Sequence, residues 1–236
     1  MIRTYLCDTG YVFFIVFSLE IILTFQRSYD IIANAISFIV ERSIKMRIGL
    51  NKDIIIRIAA EMADEKGAVD VTFKELAGRL GIKPPSLYKH FIGGLDELNK
   101  ELMLYGWRLM DGEITKAVIG KAKDDAVIAL CYAYRNFVSE HKGLYEVMQW
   151  YNMYESEEHQ QASAGAVDVM YRALASYELS EEQKVHTVRL IRSFLQGFST
   201  IEVNVGKDYP VPLTDSFDFA LKAILNGIAN IRNKVQ

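Results

Sequence analysis

Only two cysteines and four histidines occur among the 236 residues, and neither set has the spacing of a metal site. Cys7 and Cys131 lie far apart, and no histidine has a second histidine or a cysteine within ligand spacing, so neither a zinc site nor a disulfide framework is expected. Catalytic signatures are missing as well. There is no nucleophile elbow and no phosphate-cradling loop, and Gly81, Gly93 and Gly94 do not form a dinucleotide fingerprint. No catalytic residue, metal or cofactor is therefore expected; a helical enzyme would need a polar constellation that is not found. The formal net charge of −3 excludes a polycation, so any affinity for nucleic acid must come from a local patch. Half of the residues are hydrophobic, enough for one sizeable core plus a small satellite domain and too many for a disordered or fibrous chain.

A long membrane span is also lacking. Tyr11–Phe25 is nearly continuous in apolar and aromatic residues but is interrupted by Ser18, Glu20 and Thr24, and it falls short of the roughly 20 residues a spanning helix needs. A secretory signal is poorly supported, since Arg3 alone makes the positive end and Ala33-Asn34-Ala35 lies too far from the apolar run. Met46 is expected to be the natural start, with residues 1–45 an over-long reading of the gene. An extension that tethers the chain to a membrane or binds a partner, and an extra packed helix, are the alternatives.

The informative stretch is Thr72–Phe91, TFKELAGRLGIKPPSLYKHF. Thr72 and Glu75 form a capping box at a helix start. Phe73, Leu76, Ala77 and Leu80 then recur at helical period, and Gly81 ends the helix, since glycine accepts a left-handed conformation cheaply. Pro84-Pro85 starts a second short helix. Leu87 and Phe91 can face inward, leaving Ser86, Tyr88, Lys89 and His90 outside. Lys74, Arg79, Lys83 and Lys89 stand against Glu75 alone, so positive charge is concentrated here. The pattern is a helix-turn-helix made to lie against DNA.

Pro85-Ser86-Leu87-Tyr88-Lys89-His90-Phe91, with the capped helix and glycine turn before it, closely resembles the helix-turn-helix of TetR-type transcriptional regulators. The resemblance implies an all-α, cytoplasmic homodimer that binds operator DNA and releases it when a small molecule enters its larger domain. The expected organisation is the extension 1–45, a three-helix DNA-binding head over 46–95 with its motif at 72–91, and a helical effector-binding and dimerisation domain over 96–236. Cys131–Met148 and Ser193–Glu202 further resemble a subgroup with a Trp-His-Gly signature, although Gln196 stands where its histidine is expected.

In the head, a helix from Asn51 to about Glu65 buries Ile55, Ile58, Ala59 and Met62. Lys83, Lys89 and the Tyr88 hydroxyl suit phosphates, and Thr72 can offer another phosphate contact. Ser86 and Pro85 are the expected base readers, with His90 and Lys89 able to reach either target. Gly93-Gly94, where family members often carry a lysine nearby, is either a phosphate-binding helix start or a plain turn.

Beyond the head, helices are expected near Asp124–Glu140, Gly143–Tyr151, Glu158–Tyr177, Ser180–Val203 and Thr214–Ile231. The last two carry the dimer expectation: Ile191, Leu195, Phe198, Phe217, Leu221, Ile224 and Ile228 as interface, with Leu190, Phe194 and Ile201 a second apolar stripe. Core packing within one chain is the alternative. An apolar or aromatic effector is expected among Trp107, Met110, Tyr134, Met148, Tyr151, Met170, Phe194 and Phe198, with His186, Gln149 and Arg135 as candidate polar contacts.

Overall fold

A computed structural model describes residues 50–152, 156–204 and 210–233. The chain divides into two compact units, Met1–Asn51 and Lys52–Gln236, and the second carries the fold set out below. The expectations for residues 1–45, for Cys7 and for the side chain of Tyr151 lie outside the described residues.

Among the described residues eight α-helices follow one another: α1 Lys52–Lys66, α2 Phe73–Leu80, α3 Gly94–Val118, α4 Lys123–Glu140, α5 Lys142–Met148, α6 Glu157–Ala173, α7 Glu181–Asn204 and α8 Leu213–Asn233. Short 3-10 turns stand at Ala68–Asp70, Pro84–Lys89 and Gln149–Asn152, and the described residues contain no strand. No helix among them is long and apolar enough to cross a membrane.

Local chemistry sets the ends of these helices. Thr72 Oγ1 accepts the Glu75 amide at 3.3 Å, and Gly81 closes α2 at φ 68°, the left-handed conformation expected of it. At the start of α7 the capping box is reciprocal: the Ser180 amide donates to Gln183 Oε1 at 2.8 Å, and the Gln183 amide donates to Ser180 Oγ at 3.2 Å. Ser156 caps α6 in the same way, accepting the His159 amide at 3.2 Å. Two expected helices differ in form. Pro84–Lys89 is a 3-10 turn, and the helix expected over Gly143–Tyr151 stops at Met148 and continues as a 3-10 turn.

The long α3 is the axis of this second unit, packed by α1, α4, α5 and α6. Leu98, Leu102, Met103, Met110 and Ile114 are fully buried along it. α7 and α8 pair beside α4, where Phe217 is buried among Phe194, Phe198 and Tyr132 at ring separations of 5.1–5.4 Å. Arg135 is committed to this seam: it makes a two-pronged ion pair with Glu202 and donates to Thr214 Oγ1 at 3.2 Å. It is therefore a strut between α4, α7 and α8 and not a pocket group.

α1 is buried on two sides, because Ile56, Ala60 and Ala63 join the expected stripe of Ile55, Ile58, Ala59 and Met62. The second side meets α5. Gly143 lies so close to α1 that an added Cβ would sit 1.9 Å from the Ala63 carbonyl oxygen. There Asp64 Oδ1 accepts the Leu144 amide at 2.8 Å and Oδ2 bonds His141 Nδ1 at 2.7 Å. A carboxylate on one helix thus caps the amino end of another.

Candidate functional site

The exposed face around Pro84–Lys89 follows from how this turn docks. Leu87 and Phe91 are wholly buried, as their four-residue spacing requires, and Phe73 packs edge-on against Tyr88 at 4.9 Å. Tyr88 remains 55 % exposed. Thr72, Lys74, Lys83, Pro85 and Lys89 are exposed beside it, while Ser86 and His90 are half-buried. The seven residues expected to meet DNA therefore lie along one short stretch, from the cap of α2 to the end of the following 3-10 turn.

Ion pairs with neighbouring α1 leave the net positive charge of this face unchanged and concentrate it on lysines. Arg79 forms a two-pronged ion pair with Glu65, and Glu75 is held by Lys66 at 2.8 Å. Lys74, Lys83 and Lys89 have no acidic partner among the described residues. Lys74, not among the expected contacts, joins the group through exposure alone. Ile92, next in the chain after Phe91, is 89 % exposed.

Gly93-Gly94 is a plain turn. The Gly93 amide donates to Glu97 Oε2 at 2.9 Å, and the Gly94 amide donates to the Phe91 carbonyl at 3.0 Å. Glu97 in turn bonds Lys52 at 2.9 Å, and Lys52 reaches Glu101 at 2.7 Å. The hydrogen bond from Lys52, with that from the Gly93 amide, holds the Glu97 carboxyl below its ordinary range. Burial alone would lower the Lys52 ammonium, but hydrogen bonds to Glu101 and Glu97 overcome it and the net shift is upward.

A second site lies in the body. A cavity of about 200 Å³ opens between α3, α4, α6 and α7 beside the Gln149–Asn152 turn. Trp107, Tyr134 and Met170, three of the expected effector residues, line it together with Ala166 and Val167. Its polar wall is Gln149, Arg192 and Gln196; Gln196 Nε2 donates to Gln149 Oε1 at 3.0 Å. Burial pushes the Tyr134 hydroxyl well above its ordinary value, and it shares a hydrogen bond of 2.9 Å with Tyr145. One turn along α3 from Trp107, Asp111 lies against Gly165 outside this wall.

The other expected effector residues whose side chains are described serve elsewhere. Met110 and Met148 are core, the latter so close to Gly106 that a Cβ there would fall 2.6 Å from Met148 Cγ. Phe194 and Phe198 belong to the aromatic cluster around Phe217, and the side chain of His186 is exposed. The sequence does not single out Arg192 and Gln196 as ligand contacts; only their shared helix face with the cavity reveals them.

The expected dimer residues need correction. Ile191, Leu195, Phe217, Leu221 and Ile228 are buried within one chain, and Phe198 and Ile224 are half-buried. Two apolar stripes on α7 cannot both face inward, and the Ile191–Leu195 stripe is the inner one. Leu190 and Ile201 are about half-exposed, and Phe219 on α8 is 77 % exposed.

A helix-turn-helix with a basic, aromatic outer face on an all-helical body defines a DNA-binding transcriptional regulator. The family model for bacterial regulatory proteins of the tetR family matches residues 55–93, and that for the tetracyclin repressor-like C-terminal domain matches 127–224. The chain is 28% identical over 188 residues to the uncharacterized HTH-type transcriptional regulator YobS of Bacillus subtilis (strain 168), covering 80% of this chain and 97% of that one. It is 31% identical over 158 residues to the uncharacterized HTH-type transcriptional regulator Rv0681 of Mycobacterium tuberculosis, covering 65% and 71%. The fold is similar to that of a TetR variant from Acinetobacter baumannii AYE in complex with minocycline, with a TM-score of 0.58, 17% identity and coverage of 78% and 98%. The chain belongs to the TetR family of transcriptional regulators. These matches name the family and not a subgroup within it.

Proposed function

We propose that the protein is a ligand-responsive dimeric regulator, a repressor that leaves its operator when a small molecule fills the cavity at Trp107. The observation that carries the reading is the outer face of the 3-10 turn, where Pro85, Tyr88 and Lys89 stand exposed over the buried anchors Leu87 and Phe91. In this reading Thr72, Lys83, Tyr88 and Lys89 hold phosphates, Lys74 adds a further cation, and Pro85, Ser86 and His90 face base edges.

The cavity has a route to the head. Trp107 adjoins Gly106, Gln149 adjoins Met148, and Gly106 and Met148 are where α3 and α5 interlock. The amino end of α5 is held by Asp64 of α1. A ligand that changes how α3 and α5 interlock therefore moves α1 and, through α2, the turn docked on it. Operator affinity falls by the ligand's preference for the displaced arrangement, and the coupling is reciprocal.

Dimerisation uses the outer stripe of α7 with α8, including Leu190, Ile201 and Phe219, and places two heads on successive major grooves roughly 34–36 Å apart or a multiple of it. The test is selection of bound fragments from a random duplex library by the purified full chain. Enrichment of a two-fold symmetric sequence with that half-site spacing is expected; no enrichment at low ionic strength overturns the reading.

A further inference from the structure

The cavity at Trp107 has an asymmetric wall. One side is apolar, made by the Trp107 ring, Ala166, Val167 and Met170 on α3 and α6. The other side, from α7 and the 3-10 turn, carries Arg192, Gln196 and Gln149, and the wall contains no acidic residue.

Arg192 and Gln196 are four residues apart on α7 and so share a face. Arg192 has no carboxylate partner among the described residues, whereas Arg135 and Arg79 are both taken up by glutamates. Its charge is felt inside the cavity, where it acts against the upward shift of the Tyr134 hydroxyl. The Gln149–Gln196 hydrogen bond uses the Gln149 oxygen, which leaves the Gln149 amide N–H groups free to donate. Cation and amide donors thus converge on one wall, and an arginine fork suits a planar carboxylate. The volume of about 200 Å³ lies below the roughly 300–1,000 Å³ of clefts that hold drug-sized ligands, so the occupant has the size of a single ring with a short arm.

We propose that the effector is a small carboxylate with an apolar, ring-sized body: its anion pairs with Arg192 beside Gln149, and its body lies between Trp107 and Met170. This rests on the cavity being the effector site, and it adds the chemical class of the ligand.

The experiment is calorimetric titration of the full chain with benzoate, phenylacetate and 3-phenylpropanoate, each beside its primary amide. The tightest acid is expected to bind at least tenfold better than its amide. Arg192→Gln should remove that ratio while leaving the amide's affinity within about twofold, and Arg192→Lys should retain part of it. Val167→Phe, which fills the cavity from its apolar wall, should block both series; thermal melts check that each variant is folded.

Amides that bind as well as acids leave the cavity reading standing and overturn the anion preference. So does an acid preference that survives Arg192→Gln, and acid binding that survives Val167→Phe places the site elsewhere. If no acid and no amide binds, both readings fall. A parallel gel shift on the selected duplex separates binding from regulation: acid that binds without releasing DNA upholds the carboxylate site and refutes its regulatory role.

Discussion

Replacing Gly143 by alanine is the sharpest test of how the head is tied to the body. On an exposed helix this change is favourable by up to about 1 kcal/mol, because alanine has the better helix propensity. Here the added Cβ would lie 1.9 Å from the Ala63 carbonyl oxygen, 2.2 Å from its carbon and 2.8 Å from the Asp64 nitrogen. All three are backbone atoms, so no side chain can swing away. To reach the 3.0 Å that real Cβ atoms keep, α1 and α5 must part by at least 1.1 Å. If that movement lies along the bond from the Leu144 amide to Asp64, now 2.8 Å, it opens to about 3.9 Å and is broken. Overpacking of this kind costs about 1–3 kcal/mol, and a hydrogen bond to a charged group contributes about 1.5–3 kcal/mol. Offset by the helix-propensity gain, the net loss is about 1.5–5 kcal/mol. For a domain of this size that lowers the melting temperature by about 3–20 °C. Differential scanning calorimetry beside Gly78→Ala provides the control, since a Cβ at Gly78 has no neighbour within 4 Å and should stabilise α2 slightly. A Gly143→Ala protein as stable as the parent would refute the close α1–α5 approach and the route from cavity to head.

Ile201→Glu, on the outer stripe of α7, should convert the dimer to a folded monomer in analytical ultracentrifugation; an unchanged sedimentation coefficient would place the interface elsewhere. Lys52→Met should cost up to about 1 kcal/mol at neutral pH, a surface-pair magnitude given how exposed Lys52 is. Because the Glu97 carboxyl is depressed below its ordinary value of 4.5, its contribution is complete above that pH and disappears as pH falls through the depressed value. Parent and variant stabilities should therefore converge in acid, and a constant gap down to about pH 2 would contradict the pairing. The Cys131 thiol is buried and pushed up to about 12, so peptide mapping should find it unmodified by iodoacetamide at about pH 8 until the protein unfolds.

The parts legible in the sequence are those fixed by neighbours along the chain. Thr72 and Gly81 bound α2, Ser180 and Gln183 begin α7, and the spacing of Leu87 and Phe91 buries both. Choices between equivalent faces are not legible there. α7 has two apolar stripes, and which one faces the core depends on where α4 and α8 lie, so periodicity alone puts the Ile191–Leu195 stripe at the interface although it is core. The effector wall shows the same limit from the other side. Aromatic and methionine residues in the body divide between core, aromatic cluster and cavity, and only long-range packing separates Met170 from Met110 or Met148. Arg135 and Arg192 look alike in sequence, and it is Glu202, 67 residues away, that takes one and leaves the other.

The salt dependence of operator binding tests the central claim most directly. Removing one phosphate interaction lowers the slope of log K against log salt by about 0.9, and a dimer forfeits two when one lysine is removed from each protomer. Fluorescence anisotropy on the selected duplex should therefore show Lys89→Ala with a slope shallower by about 2 than the parent's. A parallel displacement of the line, with the slope unchanged, would mean that the turn carrying Tyr88 and Lys89 does not lie against the DNA backbone.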